Sequence, residues 1–336
     1  MSAVNTQPFH LGPFPNNDIF QYGMQHLTVA DISTINQVCK AWNTTTQSPS
    51  FWLSMFETLK IPCVEGHEIE TAKEDFIFLR RITHSAKKMA CLGKLIGSMP
   101  RLSPEFFNTL KNAMDPYEPH KKMSETFVVV VEPTHIQWPD CDPSLLDDLV
   151  KNGEFDATVE LQHVFTDQGI QVPYSLKNLK ILAKYAAAKQ GIKSVFNEAF
   201  LGDGPLKQIL AQCSQMAKTA KVTIMRREAP PQSFNKSDLQ QQILLKQHGH
   251  EMAPLSTRFY FNLGMLLAKD DQVALSKYSH TSDQVKLDKK VCSVVIADFA
   301  VPGGICFHCG GAANKEVGAV PILSAQVLQA EAKESC

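Results

Sequence analysis

Apolar residues recur at spacings of three and four through the N-terminal third of the chain and give way to β-branched runs after residue 125. A helical first part and a mixed second part are predicted from that change of period. Phe14-Pro15-Asn16-Asn17-Asp18 is a proline turn and polar cap, opening a helix that carries Ile19, Phe20, Met24 and Leu27. Thr28 starts the next helix, with Asp31 in a capping-box-like position. Its stripe is Ile32, Ile35, Val38, Cys39 and Trp42. Ser48-Pro49 is an N-cap with proline at the first helical position, and Phe51, Trp52, Met55, Phe56 and Leu59 follow until Pro62. A unit of about 45 residues is too small to make a sufficient core from such stripes. Its surplus apolar face is expected to meet another domain or a partner.

Further along, Glu68 to Ile96 reads as a helix carrying Phe76, Leu79, Ile82, Leu92 and Ile96, and Ser103-Pro104 starts a short one through Leu110. Asp115-Pro116-Tyr117-Glu118-Pro119-His120-Lys121-Lys122 reads as a breaker-rich linker and a domain boundary. The run Phe127 to Val131 then has the texture of a buried central strand. Helices are expected after Asp142-Pro143, over Ser175–Lys189, Pro205–Lys218, Ser237–His248 and Ser256–Ala268. Strands are expected over Val159–Phe165, Ile192–Phe196, Val222–Met225 and Val291–Phe299. That alternation predicts an α/β domain with a largely parallel sheet. No internal repeat is visible, so a repeat array is not expected.

Net charge is −1, and no block of lysine or arginine exceeds three residues, which argues against a dedicated nucleic-acid or anionic-membrane surface. No apolar run approaches the length of a membrane span. Met1 to Gly12 lacks both the basic and the apolar region of an ordinary signal peptide. The nine cysteines are odd in number and scattered, which suggests reduced thiols and a cytoplasmic setting.

Three constellations bear on chemistry. Cys306-Phe307-His308-Cys309-Gly310-Gly311 has cysteines at metal-ligand spacing, but no second pair completes a four-ligand set, so a glycine-rich turn is the plainer reading. Gly202-Asp203-Gly204-Pro205 opens a helix without a glycine fingerprint behind it. His248-Gly249-His250-Glu251 and Asp270-Asp271 offer acid–base groups, yet nothing pairs them with a nucleophile. No catalytic, cofactor-binding or metal-binding residue is assigned.

The block Asp31-Ile32, Val38-Cys39-Lys40-Ala41-Trp42 and Trp52 resembles the F-box, the helical module that docks a substrate adaptor onto the linker subunit of a cullin-type ubiquitin ligase. Phe14-Pro15 stands for the opening Leu-Pro pair of that family, Ile19 for the apolar residue after its acidic position, and Leu27 with Asp31-Ile32 for its middle. Val38-Cys39-Lys40-x-Trp42 matches the core, and Phe51-Trp52 the terminal Leu-Trp. The departures are one extra residue between Pro15 and Ile19, and Gly23 where the family prefers a branched aliphatic.

The resemblance implies a multidomain chain. An all-α F-box over 12–60 and a helical linker over 61–122 would precede the α/β domain over 123–330. Phe14, Pro15, Ile19, Leu27, Ile32, Ile35, Val38, Cys39, Trp42 and Trp52 would contact the linker subunit, and the α/β domain would recruit a target protein. Neither nucleic acid nor membrane is an expected partner. An enzyme tethered by an F-box-like module is the first alternative. The second is a structural domain in which Trp42 and Trp52 are buried against residues 66–111. The order Phe127–Glu132, Asn235-Lys236-Ser237 with a glutamine run, and Ala297-Asp298-Phe299-Ala300 before Gly-Gly resembles the C-terminal region of F-box-like families in chlamydia-like intracellular bacteria. That likeness implies an effector acting in a host cytosol, since bacteria lack the cullin ligase.

Overall fold

A computed structural model describes residues 48–59, 61–66, 71–84, 94–96, 101–138, 148, 151–152, 165–166, 169–189, 203–213, 219–267, 278–287, 290–297, 305, 307–310 and 312–323. The expected segments 12–47, 142–147, 159–164 and 192–196 lie outside them.

The N-terminal elements are helices α1 (Pro49–Thr58), α2 (Ala72–Ile82) and α3 (Pro104–Asn112). Ser48 is the N-cap of α1, with proline at its first position. Ser103 caps α3, its hydroxyl accepting from the Phe106 amide at 3.3 Å. Acidic Glu74 and Asp75 open α2, and Arg80 and Arg81 close it, which complements the helix dipole.

The segment expected to be all-helical is interrupted by strands. The helix predicted over Glu68–Ile96 stops at Ile82, and β1 (Thr83–His84) and β2 (Lys94–Ile96) follow. Its periodicity joined apolar residues of separate elements into one apparent stripe. Asp115–Lys122, expected to be a linker, forms the hairpin β3 (Met114–Asp115) and β4 (Glu118–Lys122). A four-residue helix, α4 (Met123–Thr126), leads into β5 (Phe127–Glu132).

The remaining elements are β6 (His135–Trp138), β7 (Phe165–Thr166), β8 (Gly169–Pro173), α5 (Leu176–Lys189), α6 (Asp203–Cys213), β9 (Lys221–Arg226), α7 (Asp238–Lys246), β10 (Glu251–Met252), α8 (Leu255–Leu267), β11 (Tyr278–Leu287), β12 (Lys290–Ala297), β13 (Phe307–Gly310), β14 (Val317–Ala319) and β15 (Pro321–Leu323). The main sheet runs β1-β5-β9-β15-β10, a second β13-β12-β11-β14, and a third β2-β6-β8-β7.

These sheets overturn the expected largely parallel architecture. Among the described strands only β1–β5 and β11–β14 pair in parallel, beside the isolated parallel bridge Val64–Leu102; the other strand pairings are antiparallel. Two features misled the prediction. A continuous apolar run reports burial on both faces, whatever the strand direction. All six residues of β5 are buried, yet β5 lies antiparallel to β9. Tight hairpins also went unread: β11 turns into β12 with Leu287 opposite Lys290, and β7 into β8 with Thr166 opposite Gly169.

The alternation within β5 sets the layers. Phe127, Val129 and Val131 face a core built with Trp52, Phe56, Phe76, Leu79, Phe107 and Leu110 of α1 to α3. Val128 and Val130 face the opposite core, with Leu179 and Leu182 of α5 and Phe259, Tyr260 and Leu263 of α8. Helix α8 is buried around its circumference, as expected of a helix held between layers. At Gly318 the chain passes so close to the turn at Pro231–Ser233 that a Cβ would lie 2.5 Å from Ala229 Cβ and 2.9 Å from Ser233 Oγ. No helix among the described residues is long and apolar enough to cross a membrane.

Candidate functional site

Of the residues expected to contact a partner, Phe14, Pro15, Ile19, Leu27, Ile32, Ile35, Val38, Cys39 and Trp42 lie outside the described residues. Trp52 is described, and it faces inward. It is 2% exposed, with its ring centroid 5.3 Å from Phe76 and 5.0 Å from Phe51. Phe56 meets the same Phe76 edge-on at 5.2 Å. The end of the motif is therefore fastened into the core formed with α2, α3 and β5.

The most developed polar centre lies under the β3–β4 hairpin. Asp115 Oδ1 accepts from the Tyr117 amide at 2.9 Å, closing the turn at Pro116. Arg226, the last residue of β9, donates from Nε to Asp115 Oδ2 at 2.9 Å. Its Nη1 donates to the Glu228 carbonyl at 2.9 Å, and its Nη2 to Glu118 Oε1. Gln232 Nε2 donates to the Tyr117 carbonyl at 2.8 Å. Burial pushes the Asp115 carboxyl up, but the Tyr117 amide and the Arg226 guanidinium together hold it below its ordinary value.

His250 belongs to this centre. Its Nδ1 lies 2.9 Å from the Tyr117 hydroxyl, and His248 meets the Tyr117 ring edge-on at 4.8 Å. Gly249 makes the turn between the two histidines at φ +71°. Burial pushes the His250 imidazole down to about 4, His248 adds to the shift, and Asp115 opposes it. The ring is neutral at pH 7. Burial, and then Asp115, pushes the Tyr117 hydroxyl up. A neutral imidazole paired with a phenol that resists ionisation makes a clamp and not an acid–base pair poised near neutrality. Asp270 and Asp271 lie outside the described residues.

Two further centres are equally closed. Glu132, at the end of β5, accepts from Tyr174 Oη at 2.9 Å and Thr257 Oγ1 at 2.6 Å. Asp238, on the first turn of α7, accepts from Ser293 Oγ at 2.6 Å, while His280 Nδ1 lies 2.7 Å from Gln241 Oε1. Serine, histidine and aspartate thus meet in one buried region. The serine hydroxyl is committed to the carboxylate and not to the imidazole, so no nucleophile is activated there.

The Cys306–Gly311 segment forms part of β13 and not a turn: Phe307–Gly310 pairs with β12, Cys309 opposite Val294. Cys306 and Gly311 lie outside the described residues. Burial pushes the Cys309 thiol up to about 12, helped by Cys292 beside it. Burial also lowers the His308 imidazole, which meets Tyr278 edge-on at 5.4 Å. No group of three or more His, Cys, Asp or Glu side chains is placed to hold a metal ion among the described residues. Asp203 opens α6, as the Gly202-Asp203-Gly204-Pro205 spacing suggested.

The Asp115–Arg226 centre was not anticipated, although two signals pointed to it. Asp-Pro-Tyr is an aspartate-initiated turn, and Arg226 closes a strand whose preceding residues are apolar or β-branched, so a buried cation in need of a partner was foreseeable.

Compared with protein-family models, with curated proteins and with solved structures, the chain finds no match in any of the three.

Proposed function

We propose that the chain is a substrate adaptor of an SCF-type ubiquitin ligase, with residues 12–60 docking on the linker subunit and the remainder recruiting a target. The observation that carries this reading is the spacing from Asp31-Ile32 through Val38-Cys39-Lys40-x-Trp42 to Trp52, which resembles the F-box. The burial of Trp52 refines it. Trp52 fastens the module to the body, and the anchors for the linker subunit are the earlier apolar positions, from Pro15 to Trp42. Holding a target near the ubiquitin-loaded enzyme raises its effective concentration most when the connection matches the distance to be spanned. The adaptor itself performs no chemistry. If the C-terminal likeness to F-box-like families of chlamydia-like bacteria reflects origin, the ligase belongs to the host.

A second reading draws on the same tryptophan. Trp52 packs on Phe76, as a purely structural N-terminal helical domain requires. The two readings part at Val38 and Trp42. In a calorimetric titration of the full chain against the purified linker subunit, the adaptor reading expects binding that Val38→Ala with Trp42→Ala abolishes. Loss of such anchors costs about 2 kcal/mol or more each. Circular dichroism on the variant separates lost contact from lost fold. A folded full chain that does not bind the linker subunit sinks the adaptor reading and leaves the structural one.

A further inference from the structure

A cleft of about 680 Å³ opens between α2, α3, the end of β4 and the residue after β9. Four cationic side chains line it: Arg81, Lys111, Lys122 and Arg227. They come from four separate stretches of sequence, so no run of basic residues announces them. Glu125 is the one acidic side chain among the described residues of the lining. Among the described residues, four positive charges against one negative give the lining about +3, in a chain whose net charge is −1.

Two of the cations are held in place by an aromatic pair. Phe78, in the wall of the cleft, meets Phe107 edge-on at 5.5 Å. Arg81 lies over Phe78 at 5.6 Å and Lys111 over Phe107 at 5.3 Å. Adjacent helices thereby present their charges side by side, each over an aromatic ring. Arg227 is fixed through its backbone: its amide donates to the Thr126 carbonyl at 2.9 Å, and its carbonyl accepts from the fully buried Arg258 at 2.9 Å. Glu125 is partly occupied, since its Oε2 accepts from the Lys122 amide at 3.1 Å.

Like charges gathered in a concave, partly apolar wall repel one another and focus a positive potential outward. A multiply charged anion relieves that repulsion, and phosphate oxygens match both the guanidinium fork and the ammonium point charge. The volume lies in the range of small-molecule pockets, roughly 300–1,000 Å³. We propose that this cleft binds a small ligand of nucleotide size carrying two or more phosphate groups, held by Arg81, Lys111, Lys122 and Arg227.

Calorimetric titration of the full chain with ADP, pyrophosphate and adenosine tests this. ADP and pyrophosphate are expected to bind, more weakly as salt rises, and adenosine is not. Arg81→Glu with Lys111→Glu, at two exposed positions, is expected to weaken both by about tenfold or more. Glu125→Gln keeps an acceptor for the Lys122 amide and removes the opposing charge, so it is expected to tighten binding; misfolding cannot mimic a gain. Binding of pyrophosphate without added affinity for ADP assigns the cleft to the phosphate groups alone and supports the proposal. It is overturned if the chain, folded by circular dichroism, binds neither anion, if adenosine binds as well as ADP, or if the double variant binds like the parent. A phosphoserine peptide that binds where ADP and pyrophosphate do not would overturn it as well.

Discussion

Arg226 and Asp115 form an ion pair at 2.9 Å that spans 111 residues of sequence, with the arginine side chain 3% exposed and the aspartate fully covered. It ties the β3–β4 hairpin to the last residue of β9. The other guanidinium nitrogens are taken by Glu118 and the Glu228 carbonyl, so the buried charge is compensated on every side.

Asp115→Asn retains the volume and removes the charge. Breaking a buried pair from one side costs about 3–5 kcal/mol, and the retained Glu118 contact places the expected loss toward the lower end. Urea denaturation of the full chain measures it; a loss typical of surface pairs, under about 1 kcal/mol, would show the pair to be stabilising only weakly. The folded carboxyl titrates below its ordinary value. Its contribution is therefore complete above about pH 4 and is lost as pH falls through the lower folded value. In Asp115→Asn that part of the acid limb disappears.

His250 gives stability a dependence on pH at milder acidity. The folded ring titrates at about 4, and an unfolded histidine near 6.5. Between those values the unfolded chain binds the extra proton, so stability falls as pH drops from about 6.5 to 4 and is unaffected above. The slope approaches about 1.4 kcal/mol per pH unit for one proton. His250→Gln is expected to flatten that window in denaturation curves taken at half-unit steps. An unchanged slope would mean that the ring is solvated in the folded chain.

Trp52 separates anchoring from docking. Trp52→Ala removes a buried indole from contact with Phe76 and is expected to cost about 3–5 kcal/mol. Trp52→Phe keeps an aromatic ring there and is expected to retain both the fold and linker-subunit binding. If the phenylalanine variant melts like the parent but no longer binds, Trp52 is a contact residue and the assignment of the interface to Pro15–Trp42 fails.

Helix positions were the most legible part of the sequence, because caps and stripes are local. The helices expected from Ser103-Pro104, from Ser237 and from Pro205 each lie where spacing and capping place them. Strand direction was not legible. The valine run of β5 reports only that both faces are covered, and its partners β1 and β9 lie more than 40 and about 90 residues away in sequence. The hairpin at Asp115 was hidden by its prolines, which usually mark loops; here Pro116 shapes the turn, and Pro119 stands exposed in the short strand β4. The basic cleft was invisible for a similar reason: Arg81, Lys111, Lys122 and Arg227 lie far apart in sequence and meet only when α2, α3 and the main sheet have packed.

The cysteines of the second sheet face the core, and their reactivity should follow. Cys213 closes α6, Cys292 lies on β12 and Cys309 on β13, all half-buried against the same cluster. Burial pushes the Cys213 and Cys309 thiols up to about 12; Asp283 adds to the first shift and Cys292 to the second. Only the thiolate attacks an alkylating agent, so at pH 8 each folded thiol has a reactive fraction of about 10⁻⁴. Iodoacetamide is expected to label Cys213 and Cys309 roughly a thousandfold more slowly in the folded chain than in urea, where thiols titrate near 8.5. Mass spectrometry of the tryptic peptides quantifies each position separately. Equal rates in the two conditions would mean that these thiols meet solvent, and would reopen the Cys306–Cys309 segment as a place for thiol chemistry.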